Sequence, residues 1–200
     1  MLVLMRMWRN VGLAGLLALG LAACSGAPTA APPALPPLYF DLKGFLDGQR
    51  AYLESVSPAV TRTVQASDGP GETQRLVRVN WERELHFFYE ADLNKPALRG
   101  FYTETATPLP GGATRRTYER RAGEHTAIRT LSVETGPGDA VRLVEAVQDD
   151  RNALFASERH LTLRCDPAPD HNRLTAYEIS GRQKLIFFEP TTYQVRAEVE

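Results

Sequence analysis

The chain has 200 residues, 43% of them hydrophobic, and a formal net charge of −1 from 23 Lys and Arg against 24 Asp and Glu. A nucleic-acid partner is not expected, because contacts to phosphates need a clustered basic face that this composition does not indicate. Once a leader and a linker are set aside, about 160 residues remain, which fits one domain with a sizeable core.

Residues 1–23 have the layout of a secretory signal. Arg6 and Arg9 supply a positive start, residues 11–23 are apolar and uncharged, and small residues precede Cys24. This apolar run is shorter than the roughly 20 residues that a membrane-spanning helix needs, so we expect cleavage and no permanent transmembrane helix. Cleavage leaves a mildly acidic mature chain with a formal charge of −3.

The tetrapeptide Leu-Ala-Ala-Cys at 21–24 resembles the lipobox of bacterial lipoproteins. The resemblance implies cleavage before Cys24, diacylglycerol on its thiol and a further acyl chain on its amine. Several acyl chains anchor a protein stably, whereas one holds it only marginally. Ser25, by resemblance to enterobacterial sorting, implies the outer membrane. An ordinary secretory signal with an incidental cysteine is the alternative.

Cys165 is the second of two cysteines, so acylation of Cys24 would leave it without a disulfide partner. It alternates with Leu161 and Leu163, which predicts a small buried side chain in preference to a reactive thiol. Residues 25–37 are almost entirely Ala, Pro, Gly, Ser and Thr and predict a flexible tether. The expected organisation is a signal at 1–23, a lipidated cysteine and tether at 24–37, and one domain at 38–200.

Two helices and a hairpin are predicted in the first part of the domain. Asp41 can cap a helix that Pro58 ends, and Asn80 can cap a second over residues 81–93. Between them, two strand-like runs at 60–65 and 75–80 flank a turn at 67–71. The predicted apolar positions are Leu42, Phe45, Leu46, Tyr52, Leu53 and Val56 in the first helix and Trp81, Leu85, Phe88 and Tyr89 in the second. Glu82, Arg83, Glu84 and Glu90 are placed on the outer side of the second helix.

The remainder alternates between apolar and polar positions and predicts an antiparallel meander of six to eight strands, with the C-terminal strand inside the sheet. Turns are predicted at 108–112, 122–124, 136–139, 148–152, 166–172, 181–183 and 189–192. The positions placed on the wet face include Arg115, Arg116, Glu119, Arg120, Arg129, Glu134, Arg142, Glu145, Arg159 and Arg164. The predicted fold is therefore α+β: helix, hairpin, second helix, then a meander that forms a curved sheet or half-open barrel.

Three segments, residues 39–45 (YFDLKGF), 81–85 (WEREL) and 92–96 (DLNKP), resemble a family of uncharacterised lipoproteins of Bacteroidota-type bacteria. This resemblance implies location and fold only. The architecture is also similar, without shared motifs, to periplasmic lipoprotein carriers with an incomplete barrel and a helical lid. The chain departs from that pattern because both predicted helices precede the meander.

No catalytic, metal or cofactor signature emerges from the sequence. The four histidines, His86, His125, His160 and His171, are dispersed without a zinc-binding spacing. Asp149 and Asp150 could form a carboxylate pair, although their neighbours favour a turn. Asp166, Asp170, His171 and Asn172 could contact a cation, but the prolines at 167 and 169 also favour a turn.

We therefore expect a non-enzymatic, lipid-anchored envelope protein that binds an envelope protein or an apolar ligand. The candidate binding surface is aromatic: Phe87, Tyr89, Phe101 and Tyr102. An assembly accessory without a small-molecule site is the alternative, and an enzyme of unrecognised type is a third hypothesis. A sheet face left open would favour a ligand, whereas a face filled by the helices would favour docking alone.

Overall fold

The computed structural model describes residues 36–67, 69–168 and 172–200, so the predicted signal, Cys24 and most of the predicted tether lie outside the described residues. Residues Pro37–Glu200 form one unit. The buried hydrophobic cluster of this unit is drawn from residues between Tyr39 and Ala197. This unit therefore has its own hydrophobic core.

The domain is built on one antiparallel sheet. Its strands are β1 (Val60–Ala66), β2 (Glu72–Leu76), β3 (Tyr102–Leu109), β4 (Ala113–Arg120), β5 (Ile128–Thr135), β6 (Val141–Arg151), β7 (Phe155–Asp166), β8 (Arg173–Leu185) and β9 (Thr191–Val199). Their order is β2-β1-β9-β8-β7-β6-β5-β4-β3. The last seven strands form a meander, and the hairpin of β1 and β2 extends it by pairing β1 with β9. The predicted α+β fold with an open antiparallel sheet is confirmed, and the C-terminal strand lies inside that sheet.

The first helix, α1, spans Leu42–Val56 and is capped as predicted, because the Asp41 carboxylate accepts a hydrogen bond from the Gly44 amide at 2.9 Å. A Cβ at Gly44 would collide with that carboxylate, so glycine suits this position. The helix ends one residue before Ser57, which takes a left-handed conformation. Its buried face consists of Leu42, Leu46, Gln49 and Leu53.

The predicted second helix is two short helices, α2 (Trp81–Glu84) and α3 (His86–Glu90). Asn80 caps α2 as expected, since its side-chain oxygen accepts from the Arg83 amide at 3.0 Å. The break falls at Leu85, whose φ of −90° and ψ of 0° depart from helical geometry. The prediction of one continuous helix over 81–93 is therefore wrong.

The helices cover the apolar face of the sheet. Strand register places Leu161, Ile179 and Val195 in one row and Leu163, Tyr177 and Ala197 in the next, all on one face. Contacts from the helical region reach β4, β8 and β1 through Phe40 to Tyr118, Gln49 to Leu174 and Glu84 to Arg62. Strands from distant parts of the sheet thus contact the region that contains α1 and α2, which is consistent with a curved sheet.

Two predicted turns are instead strand. Gly181 and the two residues after it lie within β8, and the chain reverses beyond Leu185. A Cβ at Gly181 would collide with the ring of Tyr193 on β9, so this glycine makes room for a side chain and not for a turn. Asp149 and Asp150 lie within β6, where Asp149 accepts a hydrogen bond from Arg120 at 2.8 Å.

Candidate functional site

The four aromatic residues predicted as a binding surface do not share one opening. Tyr102 is only 3% exposed, and its hydroxyl donates to the Ile128 carbonyl at 2.9 Å. Its ring meets that of Tyr39 edge-on, with centroids 5.7 Å apart. This corrects the prediction for Tyr102, which belongs to the core because it begins β3 on the buried side of the sheet.

Two of the other rings are half-buried. Phe101 packs against the hydrophobic core. The hydroxyl of Tyr89 donates to the Asp47 carboxylate at 2.9 Å and so links α3 to α1. Burial and, secondarily, this carboxylate raise the pKa of Tyr89 to about 12, so its hydroxyl remains a donor at neutral pH. Neither Phe101 nor Tyr89 therefore offers a fully exposed ring for contact with a partner.

Phe87 lies at an open cleft between α2, α3 and the inner face of β1, β8 and β9. We call this opening the arginine cleft, and its volume is about 430 Å³. The residues that line it are Arg62, Arg78, Asn80, Arg83, Glu84, Phe87, Tyr177, Ile179 and Val195. Of the predicted aromatic surface, Phe87 is the member that reaches this opening.

A hydrogen-bonded trio forms the polar floor of the arginine cleft. Glu84 accepts a hydrogen bond from Arg62 at 2.9 Å and a second from the hydroxyl of Tyr177. Burial, and then the neighbouring carboxylate, raise the pKa of Tyr177, so the phenol stays protonated and donates. Glu84 was predicted on the outer side of its helix. It faces the sheet instead, and Arg62 compensates its charge within the protein.

The mouth of the cleft carries two further arginines. Arg78 precedes α2 and Arg83 lies within it, and both side chains are exposed. Among residues 36–67, 69–168 and 172–200, neither has a carboxylate within ion-pair distance. With Arg62 and Glu84 offsetting each other, the opening keeps two uncompensated positive charges. Such an opening attracts anions, and guanidinium groups suit carboxylates because they donate two parallel hydrogen bonds.

The apolar wall of the cleft is held in place from β7. The Arg159 guanidinium lies 4.2 Å from the centre of the Phe87 ring. Arg159 donates to the Tyr193 hydroxyl and to the Gln148 side chain, each at 2.9 Å. The sequence pattern predicted Arg159 on the solvent-exposed face of the sheet. It shares the inner face with Leu161, two residues along the strand, and fixes a ring beside the two unpaired arginines.

Other reactive chemistry receives little support from the described part of the chain. Cys165 is buried, as its alternation predicts, and burial raises the pKa of its thiol to about 12. Within residues 36–67, 69–168 and 172–200, no three metal-ligating side chains gather. Asp170 and His171 of the candidate cation loop lie outside the described residues.

Comparison with protein-family models, curated proteins and solved structures found no match. Across the described ranges, every helix is too short or too polar to cross a bilayer. The fold and the site therefore define a class by geometry alone: an α+β protein whose open sheet is filled by helices and whose inner face opens at a basic cleft.

Proposed function

We propose that this chain is a non-enzymatic lipoprotein of the bacterial outer membrane that docks an acidic segment of a partner protein in the arginine cleft. In this proposal the sheet is a half-open barrel, and the helices fill it instead of acting as a movable lid. The observation that carries the proposal is the pair of unpaired arginines, Arg78 and Arg83, beside the fixed ring of Phe87.

Burial of the inner face argues for docking over enclosure of an apolar ligand. Leu161 and Leu163 on the central strand β7 are buried. An enclosed apolar ligand would need this face to be uncovered. The arginine cleft instead combines positive charge with a wall of Phe87, Ile179 and Val195, which suits a segment that carries both carboxylates and apolar side chains.

The lipid anchor can be tested by substitution of each cysteine. In cells supplied with labelled palmitate, we expect the full chain and its Cys165→Ser variant to take up the label and Cys24→Ser to lose it, since acylation requires the Cys24 thiol. Gel autoradiography measures the incorporation. Equal labelling of the two variants would contradict the anchor and favour an ordinary secretory signal.

Docking can be tested with a photoreactive phenylalanine analogue at Phe87. We expect crosslinking to a partner in intact cells, and at least about a tenfold loss of yield when Arg78→Glu and Arg83→Glu are combined, because like charges then face the acidic segment. The same analogue at Phe45 on α1 is the positional control. The matched charge control combines Arg121→Glu and Arg164→Glu, two exposed arginines outside the cleft.

A crosslink that survives reversal of Arg78 and Arg83, or that forms equally from Phe45, would contradict docking in the cleft. Absence of any crosslink from Phe87 would favour the alternative function, an assembly accessory without a binding site on this face. Mass spectrometry of the crosslinked peptide adds an independent criterion. The segment joined to Phe87 should contain Asp or Glu.

A further inference from the structure

Exposed hydrophobic side chains concentrate at one end of the sheet. Of the nine large hydrophobic side chains exposed in the described residues, five lie in or next to two adjacent turns. Leu185 ends β8, the turn from β8 to β9 contributes Ile186, Phe187 and Phe188, and the turn from β6 to β7 contributes Leu154. We call these five residues the apolar tip.

The apolar tip is a projecting end of the sheet. Phe187 is 87% exposed, Phe188 68% and Leu154 65%, so these side chains bury little surface within the domain. The Ile186 amide donates to the Leu154 carbonyl at 3.1 Å, which joins the two turns. Scattered exposed hydrophobic residues are ordinary on proteins, but a contiguous group indicates a surface that another phase or molecule covers.

Positive side chains lie directly behind the tip. Strand pairing aligns Arg151 with Ala156 and Ala156 with Lys184, in a row that crosses β6, β7 and β8. Arg182 projects from the same side of β8 as Lys184, one row farther from the tip. All three cationic side chains are exposed, and none has an ion pair with a described residue.

We propose that the apolar tip inserts into the interface of a phospholipid bilayer, with Arg151, Arg182 and Lys184 on its anionic phosphates. The arrangement of large apolar side chains ahead of unpaired cations is the one that interfacial segments use, because the two groups meet the acyl boundary and the headgroups at different depths. This membrane contact uses none of the residues of the arginine cleft and does not depend on Cys24. Where the chain is also lipid-anchored, the contact would set the orientation of the domain.

A chain that begins at residue 25 isolates this contact from the proposed lipid anchor. It retains every described residue, and its fold can be checked by circular dichroism and thermal unfolding. We expect it to sediment with vesicles of phosphatidylethanolamine and phosphatidylglycerol. Combined Phe187→Ser and Phe188→Ser should lower the partition coefficient at least about tenfold. Combined Val56→Ser and Val77→Ser, two exposed apolar side chains away from the tip, should leave it unchanged.

Two further measurements separate the apolar and charged contributions. Combined Arg151→Gln, Arg182→Gln and Lys184→Gln should remove the preference for phosphatidylglycerol over phosphatidylcholine vesicles. In a Phe187→Trp variant, vesicles should shift the emission to shorter wavelength, and brominated lipids should quench it.

Three results would overturn the proposal: no sedimentation of the parent chain with either vesicle, equal binding by the Phe187→Ser and Phe188→Ser variant, or no change in Phe187→Trp emission. Sedimentation velocity without lipid gives a further test. A dimer that the same serine substitutions convert to monomer, without vesicle binding by the parent, would assign the tip to contact between copies of the chain.

Discussion

Trp81→Ala is expected to lower the free energy of unfolding by about 3 to 5 kcal/mol, because removal of a large buried ring forfeits its burial and leaves a cavity. Trp81 is 2% exposed and belongs to the hydrophobic core. It is also the first residue of α2, and its carbonyl accepts a hydrogen bond from the Leu85 amide at 3.0 Å. Chemical denaturation of the chain that begins at residue 25 measures the change.

Val77→Ala provides the control for this measurement, since Val77 is exposed and its truncation should change stability by less than about 0.5 kcal/mol. Loss of Trp81 should also loosen α2, which carries Arg83 and Glu84 of the arginine cleft. Stability near that of the parent chain would contradict burial of Trp81. It would instead indicate that the aromatic residues of α2 and α3 form a docking surface.

Local signals predicted the helix starts and the strand meander. Asp41 and Asn80 cap helices because each carries a short side-chain acceptor that reaches a backbone amide in the first turn. The alternation of apolar and polar residues along the C-terminal strands predicted burial on one face, and Leu161 and Leu163 are buried there. Such patterns depend on neighbours within a few residues, and they are visible in the chain itself.

Features that depend on contacts between distant residues were harder to predict from the sequence. Gly181 signalled a turn, whereas its absent side chain admits the Tyr193 ring from β9. The true reversal carries Phe187 and Phe188, an apolar pair that turn composition does not favour. Glu84 has the character of a solvent-facing charge, but it follows Trp81 by three residues and therefore lies beside the buried face, where its carboxylate accepts hydrogen bonds from Arg62 and Tyr177.

The sequence predicted only part of the candidate site, because most of the site is formed by contacts between distant segments. Phe87 was identified from aromatic clustering along the chain, which is a local signal. Arg62, Arg78 and Arg83 belong to β1, a connecting segment and α2, so only the folded register brings them to one opening. Tyr102 follows Phe101 in sequence, but Tyr102 is buried in the core whereas Phe101 is half-buried at its edge, and neither lines the arginine cleft. Adjacency in the chain does not establish a shared surface.

Gln49 gives a second large expected effect, because it is a polar residue in the apolar stripe of α1. Its side chain is 4% exposed. The side-chain nitrogen donates to the Asn172 carbonyl at 2.9 Å, and the side-chain oxygen accepts from the Leu174 amide at 2.8 Å. The amide thereby satisfies both backbone groups where β8 begins, much as a neighbouring strand would.

Gln49→Leu preserves size but leaves this carbonyl and this amide buried without a partner. At about 1 to 3 kcal/mol for each of the two groups, we expect a loss of about 2 to 6 kcal/mol in the free energy of unfolding. Gln74→Leu, on an exposed position of β2, is the matched control and should be nearly neutral. Hydrogen exchange adds a local test, since the Leu174 amide should exchange faster in Gln49→Leu. Unchanged stability together with unchanged exchange would mean that Gln49 does not bridge α1 to β8.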